Sequence, residues 1–453
     1  MGNFIIHPND NVEINLENGH KYARRDIKSG EQIIKYGFPI GNALCDIKRG
    51  EHVHSHNLKT ALKPHSDYAY SPVTTELKSE APATISAYVR ENGKIGIRND
   101  IWIIPTVGCV NKIAEKLSRK TGAFCFTHPY GCSQLGDDLL FTQKILCGLI
   151  KHPNAGGVLV LGLGCENNNI TELKAVLGNY DKKRIKFLNT QDSEDEISEG
   201  ISIINALNEN AKKDERKDIP VSKLVVGLKC GGSDGLSGIT ANPMVGRITD
   251  RLVSMGAPCV LTEVPEMFGA EQLLFNRCAD EGIFKKAAAL VNGFKNYYIS
   301  NNQPVSENPS PGNKEGGITT LEEKSLGCVQ KGGTAPVTDV LYCGEKAKKS
   351  GLNLLDGPGN DIVAITNLTA AGCHIILFTT GRGTPLGAPV PTLKISTNTA
   401  LAEKKKSWID FDSQSGNDGE LFSLLLETAN GKQTKNEIND FREIAIFKNG
   451  VTL

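Results

Sequence analysis

The stretch that decides the fold is Gly157-Val158-Leu159-Val160-Leu161-Gly162, an uninterrupted apolar run of strand length. A polar, glycine-containing loop follows it, and the pattern of Ile170–Leu177 then predicts a helix. Strands that are buried on both faces read as continuous apolar runs, which is typical of parallel sheets covered by helices. The stretch therefore predicts one strand–loop–helix unit of an α/β domain.

The same alternation continues on both sides of this unit. Strands are predicted at Asp100–Thr106, Ala123–Thr127 and Ile185–Leu188, and helices at Val110–Lys120, Gly136–Lys151 and Glu196–Asn208. A further block has predicted strands at Lys223–Leu228, Cys259–Thr262, Ile362–Thr366 and His374–Phe378, helices near Gly269–Asp280 and Ile283–Asn296, and a closing helix and strand within Glu437–Leu453. Alternation at this spacing predicts an α/β fold with mostly parallel sheets.

The N-terminal part of the chain has a different texture and predicts a small β-rich domain. The motif D-I-K-x-G-E occurs twice, at Asp26–Glu31 and Asp46–Glu51, and a candidate strand follows each copy, which indicates two related hairpins. Residues 66–84 contain recurrent prolines and no hydrophobic period, so they predict a linker. The predicted domains are residues 1–65, 85–218 and 219–453.

Composition excludes several classes of partner. The chain has 453 residues, with 51 basic and 51 acidic side chains, so no net field favours nucleic acid or an anionic membrane. The longest apolar runs are too short to span a bilayer, and the N-terminus lacks the pattern of a signal peptide. We therefore expect a cytoplasmic protein whose twelve cysteines are mostly reduced.

Polar, glycine- and cysteine-rich loops follow six of the predicted strands. Parallel sheets place their ligand crevice at the carboxyl ends of the strands, so these loops predict a polar site. They are Val107–Cys109, His128–Ser133, Leu163–Asn167, Lys229–Gly235, Glu263–Glu266 and Thr379–Gly387.

The individual loops leave alternatives open. Gly231-Gly232 fits either a tight turn or an anion-binding turn, and Arg382 fits either a surface charge or a carboxylate-binding guanidinium. The cysteines of the loops are small core residues, metal or cluster ligands, or nucleophiles; these are Cys109, Cys132, Cys165 and Cys230. No C-x-x-C pair, complete G-x-G-x-x-G or Walker A motif is present.

The run Glu51-His52-Val53-His54-Ser55-His56-Asn57 holds three of the nine histidines at alternating positions. In a β-strand these three side chains would point to one face, where neutral imidazole nitrogens could bind a metal. The alternative is an exposed polar strand end whose histidines contact water.

Together these residues resemble the altronate dehydratase/galactarate dehydratase family over nearly the whole chain. The motifs that carry the resemblance are His7-Pro8-x-Asp10-Asn11-Val12, Ile34–Gly41, Gly50–Asn57, the Arg90–Asn99 pattern R-x-x-G-x-x-G-x-R-N, Thr127–Cys132, Lys229–Asp234, Glu263–Glu266, Asn308–Gly317 and Thr380–Gly383. The resemblance implies that the N-terminal domain is a SAF-like β-clip domain.

The resemblance also implies an activity and a cofactor. Members of this family remove water from sugar acids, and for this chain the expected substrate is a hexonate, D-altronate first, with 2-dehydro-3-deoxy-D-gluconate as the product. A divalent metal on the substrate would stabilise the developing enediolate. The implied metal is Fe²⁺, with Mn²⁺ as a substitute, and the expected ligands are His7, His54 and His56, with Glu51 and His52 beside them.

Roles for the remaining site residues follow from the same resemblance. His128 or Lys229 is the expected base, and Glu263 and Glu315 are the expected proton donors to the departing hydroxyl. The expected substrate-binding residues are Arg98, Asn99, Ser233, Asp234, Gly381, Arg382 and Gly383, with the two arginines holding the carboxylate.

Four alternatives remain at this point. The enzyme could act on galactarate or another aldarate, could use an iron–sulfur cluster on the loop cysteines, or could be a C–S lyase of the sulfolactate type. It could also be a sugar-acid binding protein without catalytic activity. For all of these we expect a small-molecule partner, no nucleic acid, no membrane and a homodimer.

Overall fold

The two D-I-K-x-G-E turns form the centre of the N-terminal domain. In the computed structural model, which describes residues 3–64, 67–450 and 452, Ile27 and Ile47 pair through a β-bridge. Each turn also binds the other, because Lys28 contacts Asp46 at 2.9 Å and Lys48 contacts Asp26 at 3.1 Å. The predicted internal repeat is therefore a pair of mutually bonded hairpins.

Two small antiparallel sheets complete this domain. One has the spatial order Asn3–Phe4, Val12–Asn15, Lys21–Ala23 and His52–Val53, and the other has the order Gln32–Lys35, Phe38–Ala43 and Leu58–Lys59. The predicted boundary between the domain and its linker, at residues 65 and 66, lies outside the described residues.

The linker contains no helix or strand from residue 67 to residue 83, and it lies along the C-terminal domain. The Tyr68 hydroxyl donates to Glu271 at 3.0 Å, the Tyr70 hydroxyl donates to the carbonyl oxygen of Cys278 at 3.2 Å, and the backbone N–H of Val73 donates to the carbonyl oxygen of Asn276 at 2.7 Å. The linker is thus fixed to the domain that it crosses.

The second domain is built around the stretch that decides the fold. Ala155–Gly162 is a strand in which all eight residues are buried, and Ile170–Leu177 is a helix with the predicted bounds. The parallel sheet has the spatial order Phe124–Cys125, Asp100–Pro105, Ala155–Gly162 and Ile185–Asn189. The other helices are Asn111–Thr121, Asp137–Ile150 and Glu196–Ala211. A mixed α/β fold with parallel sheets is confirmed.

The predicted boundary between the second and C-terminal domains, at residues 218 and 219, lies within a strand. Arg216–Pro220 pairs antiparallel with Thr84–Val89, which in turn pairs with Ile95–Gly96. This three-stranded sheet carries the chain from the second domain into the third.

The C-terminal domain contains a seven-stranded parallel sheet within the described residues. Its spatial order is Val337–Leu341, Gly351–Leu355, Pro258–Leu261, Val226–Cys230, Ile375–Thr380, Thr392–Ser396 and Phe411–Asp412. Its helices are Ala241–Ser254, Glu271–Phe275, Glu281–Ser300, Pro311–Glu315, Leu321–Cys328, Asp361–Ala370, Thr399–Lys404, Asp418–Ala429 and Lys435–Ile438. Nowhere in the described part of the chain is a helix both apolar and long enough to cross a membrane.

The predicted strand at Ile362–Thr366 is wrong, because this segment belongs to the helix Asp361–Ala370. The Asn360 side chain caps the helix by accepting from the backbone N–H of Val363. Residues 363–370 are all buried, so the helix carries no polar stripe that would reveal its period. Short apolar runs of this kind cannot be assigned to helix or strand from periodicity.

The N-terminal domain docks on the helix Leu321–Cys328, whose eight residues are all buried. Glu323 of this helix pairs with Lys21 and with Lys35, each at 2.8 Å, and all three side chains are buried. Lys21 also donates to the carbonyl oxygen of Gly317 at 2.9 Å. The docked position brings the histidines of the N-terminal domain to the strand ends of the C-terminal domain.

Candidate active site

The candidate active site lies where a turn of the N-terminal domain meets two loops of the C-terminal domain. Gly19 lies directly against Gly235, and a Cβ added at Gly235 would be 2.0 Å from the carbonyl oxygen of Gly19. The backbone N–H of Gly235 donates to the carbonyl oxygen of Gly316 at 2.7 Å. These close approaches require glycine, and they place His20, the next residue, over the loops.

Four histidines of the N-terminal domain form one cluster. His20 Nδ1 lies 2.9 Å from His52 Nε2, and the rings of His52 and His54 stack with centroids 5.3 Å apart. The His56 ring lies 5.8 Å from that of His52. The strand ends at Val53, yet the turn that follows keeps the three alternating histidines together.

The cluster faces the C-terminal domain through His54, whose Nε2 donates to the carbonyl oxygen of Lys314 at 2.9 Å. Burial lowers the pKa of His54, and burial together with His20 and His54 lowers the pKa of His52 to about 4. Both imidazoles are therefore neutral at neutral pH, which is the form that binds a metal or accepts a proton.

One nitrogen pair of this cluster has a spacing that suits both an N–H···N hydrogen bond and two adjacent ligands of a divalent metal. Two nitrogens bonded to one ion at about 2.1 Å and at a right angle lie about 3 Å apart, and the His20–His52 nitrogen pair is 2.9 Å apart. His7, an expected ligand, is exposed and lies beside Gly37, and its Nδ1 accepts from the backbone N–H of Asn9 at 3.2 Å. Among the described residues, no ring contact joins His7 to the four clustered histidines.

The loop after Val226–Cys230 is held rigidly at the edge of the site. Asp234 is buried and accepts from the Thr397 hydroxyl at 2.9 Å and the Ser237 hydroxyl at 3.0 Å. Asn313 donates its side-chain N–H to the carbonyl oxygen of Ser233 at 2.9 Å. A Cβ at Gly381 would collide with the Asp234 carboxylate. The side chain of Asp234, a predicted substrate-binding residue, therefore fixes the loop.

Arg382 and Glu315 form an exposed ion pair next to Lys314, the residue whose carbonyl oxygen binds His54. Their side chains pair at 2.8 Å and remain 42% and 72% exposed. The backbone N–H of Gly383 donates to the Thr380 hydroxyl, which fixes the turn that presents Arg382. An exposed guanidinium with a weakly held partner is available to bind a substrate carboxylate.

A buried network of charges lies behind the Lys229–Asp234 loop. Lys229 donates to Glu263 and to Asp361, and Lys331 lies 2.7 Å from Cys230 Sγ. Cys230 and Cys328 are 3.4 Å apart, and both lie within hydrogen-bond distance of Glu266, which Lys324 holds at 2.8 Å. Among the described residues, the one group of His, Cys, Asp and Glu donor atoms within 4.8 Å of one another is Cys230, Glu266 and Cys328.

The network determines which groups carry protons. Burial pulls the pKa of Lys229 down, but Glu263 and Asp361 outweigh burial and raise it. Lys229 is therefore a fixed ammonium, and the predicted role as a base does not suit this pairing. Burial and Cys230 raise the pKa of Glu263 well above its usual range, whereas the hydrogen bond from Cys328 lowers the pKa of Cys230 to about 6.

Three predicted site residues lie in the second domain, away from this cleft. Arg98 has five N–H groups, and all are bonded: two to Glu437 and three to the carbonyl oxygens of Ile97, Thr428 and Lys432. Asn99 accepts from Arg90 and donates to the carbonyl oxygen of Ala211. Arg98 therefore joins the second and C-terminal domains and has no free N–H for a substrate carboxylate, whereas Asn99 is bonded within the second domain.

His128 is also fully bonded. Its Nε2 donates to the carbonyl oxygen of Pro105 at 2.8 Å, and its Nδ1 accepts from the backbone N–H of Tyr130 at 3.2 Å. The ring is buried, and burial lowers its pKa to about 4. In this geometry His128 fixes a loop, and its lone pair is not open to a substrate proton.

Several residues of the site carry no signal in the sequence. His20 stands alone between Gly19 and Lys21, and it joins the cluster only because the hairpin folds back. Cys328 and Lys331 lie about a hundred residues from Cys230, in no recognisable motif. Pairing across that separation is a property of the tertiary fold.

Comparison with known proteins agrees with this domain order. Residues 9–61 match the altronate/galactarate dehydratase SAF domain, and residues 87–212 match the second domain of D-galactarate dehydratase/altronate hydrolase. Residues 221–452 match the C-terminal domain of D-galactarate/altronate dehydratase. The chain therefore belongs to the galactarate/altronate dehydratase family of hydro-lyases.

Curated relatives match over nearly the full length. The chain is 53% identical to the altronate dehydratase of Escherichia coli strain K12, over 96% of this chain and 92% of that protein. It is 52% identical to the altronate dehydratase of Bacillus subtilis strain 168, over 98% of this chain and 93% of that protein. Identity with the galactarate dehydratase (L-threo-forming) of E. coli strain K12 is 31%, over 94% of this chain and 88% of that protein.

Proposed function

We propose that the protein is a hexonate dehydratase that converts D-altronate to 2-dehydro-3-deoxy-D-gluconate. The observation that carries the proposal is the convergence of neutral histidines with Arg382 at one cleft. The substrate is chosen because the two relatives with half their residues identical are altronate dehydratases.

The reaction requires a base, an anion-binding group and stabilisation of the leaving hydroxide. Arg382 would bind the C1 carboxylate in place of Glu315, which holds it at 2.8 Å. An exposed imidazole of the cluster, His56, would take the C2 proton, and Glu315 would protonate the departing C3 hydroxyl. The enol that remains tautomerises to the 2-keto acid.

We propose Fe²⁺, with Mn²⁺ as a substitute, as the metal of the histidine cluster. His20 and His52 would hold the ion, with His54 next to them, because the imidazoles of His52 and His54 are neutral and the His20–His52 nitrogens are at the spacing of adjacent ligands. A bound Fe²⁺ would supply a Lewis acid for the carboxylate and the α-hydroxyl of the substrate. The cytoplasmic location and the homodimer stay predictions.

The test is an assay of purified protein, loaded anaerobically with Fe²⁺, against D-altronate and galactarate, with 2-keto-3-deoxy acid formation as the readout. We expect turnover of D-altronate and a higher kcat/KM than for galactarate. Preference for galactarate would show that the substrate is an aldarate and not D-altronate. Release of sulfite from sulfolactate would indicate a C–S lyase. Binding of these acids without turnover would indicate a binding protein.

The role of Arg382 is tested separately. Arg382→Ala should lower kcat/KM about 100-fold, equivalent to about 3 kcal/mol, because a charge-assisted contact to the carboxylate is lost. Arg247→Ala is the matched control, since Arg247 forms an exposed pair with Asp418 on a distant helix. Equal kcat/KM values for Arg382→Ala and Arg247→Ala would show that Arg382 does not bind the substrate carboxylate.

A further inference from the structure

The second domain presents the dipeptide Gly-Cys three times, at Gly108-Cys109, Gly131-Cys132 and Gly164-Cys165. Each copy follows one of three neighbouring parallel strands, Asp100–Pro105, Phe124–Cys125 and Ala155–Gly162, so the copies lie at the carboxyl edge of one sheet. All three cysteines are exposed, although free cysteine is among the most buried residue types.

Hydrogen bonds join the three loops into one unit. The backbone N–H of Gly108 donates to the carbonyl oxygen of Tyr130, and that of Asn168 donates to the carbonyl oxygen of Gly131, each at 2.9 Å. The backbone N–H of Ser133 donates to the Asn167 side chain at 2.8 Å. Each bond involves a residue within three positions of one of the cysteines, so the three thiols are presented by one rigid surface.

The glycines are required for this arrangement. A Cβ at Gly131 would lie 2.0 Å from the carbonyl oxygen of Thr106, and Gly131 and Gly164 have φ angles of +103° and +131°. Glu166 accepts from the backbone N–H groups of Leu163 and Gly164 and from the Thr106 hydroxyl, which fixes the third loop against the first. The loops are built to hold the cysteines in place, which a solvated surface residue does not require.

The spacing of the thiols distinguishes between kinds of metal site. Two thiolates on one tetrahedral zinc ion lie about 3.8 Å apart. The three Sγ atoms do not all lie within 4.8 Å of one another, since among the described residues that condition is met by Cys230, Glu266 and Cys328 alone. Three separated thiolates on one edge suit a polynuclear cluster better than a single ion.

We propose that Cys109, Cys132 and Cys165 form a binding site for an iron–sulfur cluster. Each thiol loses its proton when it binds iron, and three protein ligands leave one iron position open to an oxygen donor. The cluster site does not rest on the proposed function.

The test is anaerobic reconstitution with ferrous iron and sulfide, followed by measurement of bound iron, acid-labile sulfide and visible absorption. The native chain and Cys45→Ser should bind sulfide and become coloured, since Cys45 is an exposed cysteine of another domain. The triple variant C109S/C132S/C165S should lose the sulfide and the absorption band. His52→Ala should retain both, which separates the cluster from metal at the histidines.

Two outcomes would overturn the proposal: a native chain that takes up no acid-labile sulfide, or a triple variant that keeps it. Circular dichroism and thermal melting establish whether the triple variant is folded, and if it is not, the three single serine variants replace it.

Discussion

At the scale of single residues, the histidine cluster differs from the set that the sequence suggests. His54 and His56 are present, but the partner that completes them is His20, and His7 lies beside Gly37. A linear motif reports which residues are close along the chain. The His20–His52 contact at 2.9 Å spans 32 residues and depends on the pairing of Lys21–Ala23 with His52–Val53.

The first prediction concerns these side chains. His52→Ala should reduce bound Fe²⁺ and lower kcat at least about 100-fold, because one of the two preformed nitrogens is lost. His7→Ala should leave bound iron and kcat unchanged, since His7 lies outside the cluster. Metal analysis and steady-state kinetics measure both. Equal iron content in native and His52→Ala protein, or loss of iron in His7→Ala alone, would contradict this prediction. Either result would favour the ligand set expected from the sequence, which is His7, His54 and His56.

At the scale of secondary structure, close contact between two turns determines whether the histidines reach the cleft. Gly235→Ala should lower kcat strongly, because the added Cβ would meet the carbonyl oxygen of Gly19 and displace the turn that carries His20. Gly293→Ala is the matched control, since nothing lies within 4 Å of its Cβ position, in the middle of the helix Glu281–Ser300.

The two glycine variants should therefore have opposite effects: Gly235→Ala should be harmful and Gly293→Ala should be stabilising. Gly293→Ala should raise the free energy of unfolding by up to about 1 kcal/mol, because alanine favours a helix interior. Urea denaturation and activity assays provide the comparison. A Gly235→Ala variant with native kcat would show that the contact between the turns is not needed for catalysis.

The elements also show where sequence patterns succeed and where they fail. Gly157–Gly162 is correctly predicted because a central strand of a sheet covered on both faces is a continuous apolar run in the sequence. Ile362–Thr366 fails for the same physical reason, since a helix buried on all sides has no polar face either. The loops at the strand ends are predictable as polar turns, but the partners of Cys230 are not, because Cys328 and Lys331 reach it only in the folded chain.

At the scale of the whole molecule, His374 joins the second and C-terminal domains. Its Nδ1 accepts from the backbone N–H of Val225 and its Nε2 donates to the carbonyl oxygen of Ile95, both at 2.9 Å. Burial lowers the pKa of His374 to about 4. Because the neutral ring fills both roles, protonation would break the bond from Val225.

This coupling predicts acid sensitivity. An unfolded histidine binds a proton below about pH 6.5, whereas folded His374 stays neutral down to about pH 4. The stability contributed by the neutral ring is therefore complete above pH 6.5 and is lost as the pH falls from 6.5 toward 4, by up to about 3 kcal/mol. Urea denaturation at several pH values measures it.

The matched variants for this prediction are His374→Gln and His7→Gln. The first should be less stable at pH 7 and should have a shallower dependence on pH between 6.5 and 4, because it has no imidazole to titrate. The second should follow the native curve, since His7 is exposed. An unchanged slope in His374→Gln would assign the acid sensitivity to other groups, of which buried His152 and His128 are the first to test.

The linker that lies along the C-terminal domain has a consequence for how this chain can be divided. Residues 71–76 are exposed, while the histidine domain is held by buried contacts of Lys21 and Lys35 with Glu323. A protease cut within this segment would leave both fragments in place. In the intact chain, the linker would serve mainly to raise the local concentration of one domain around the other. Two separately expressed polypeptides should therefore reassemble the cleft at sufficient protein concentration.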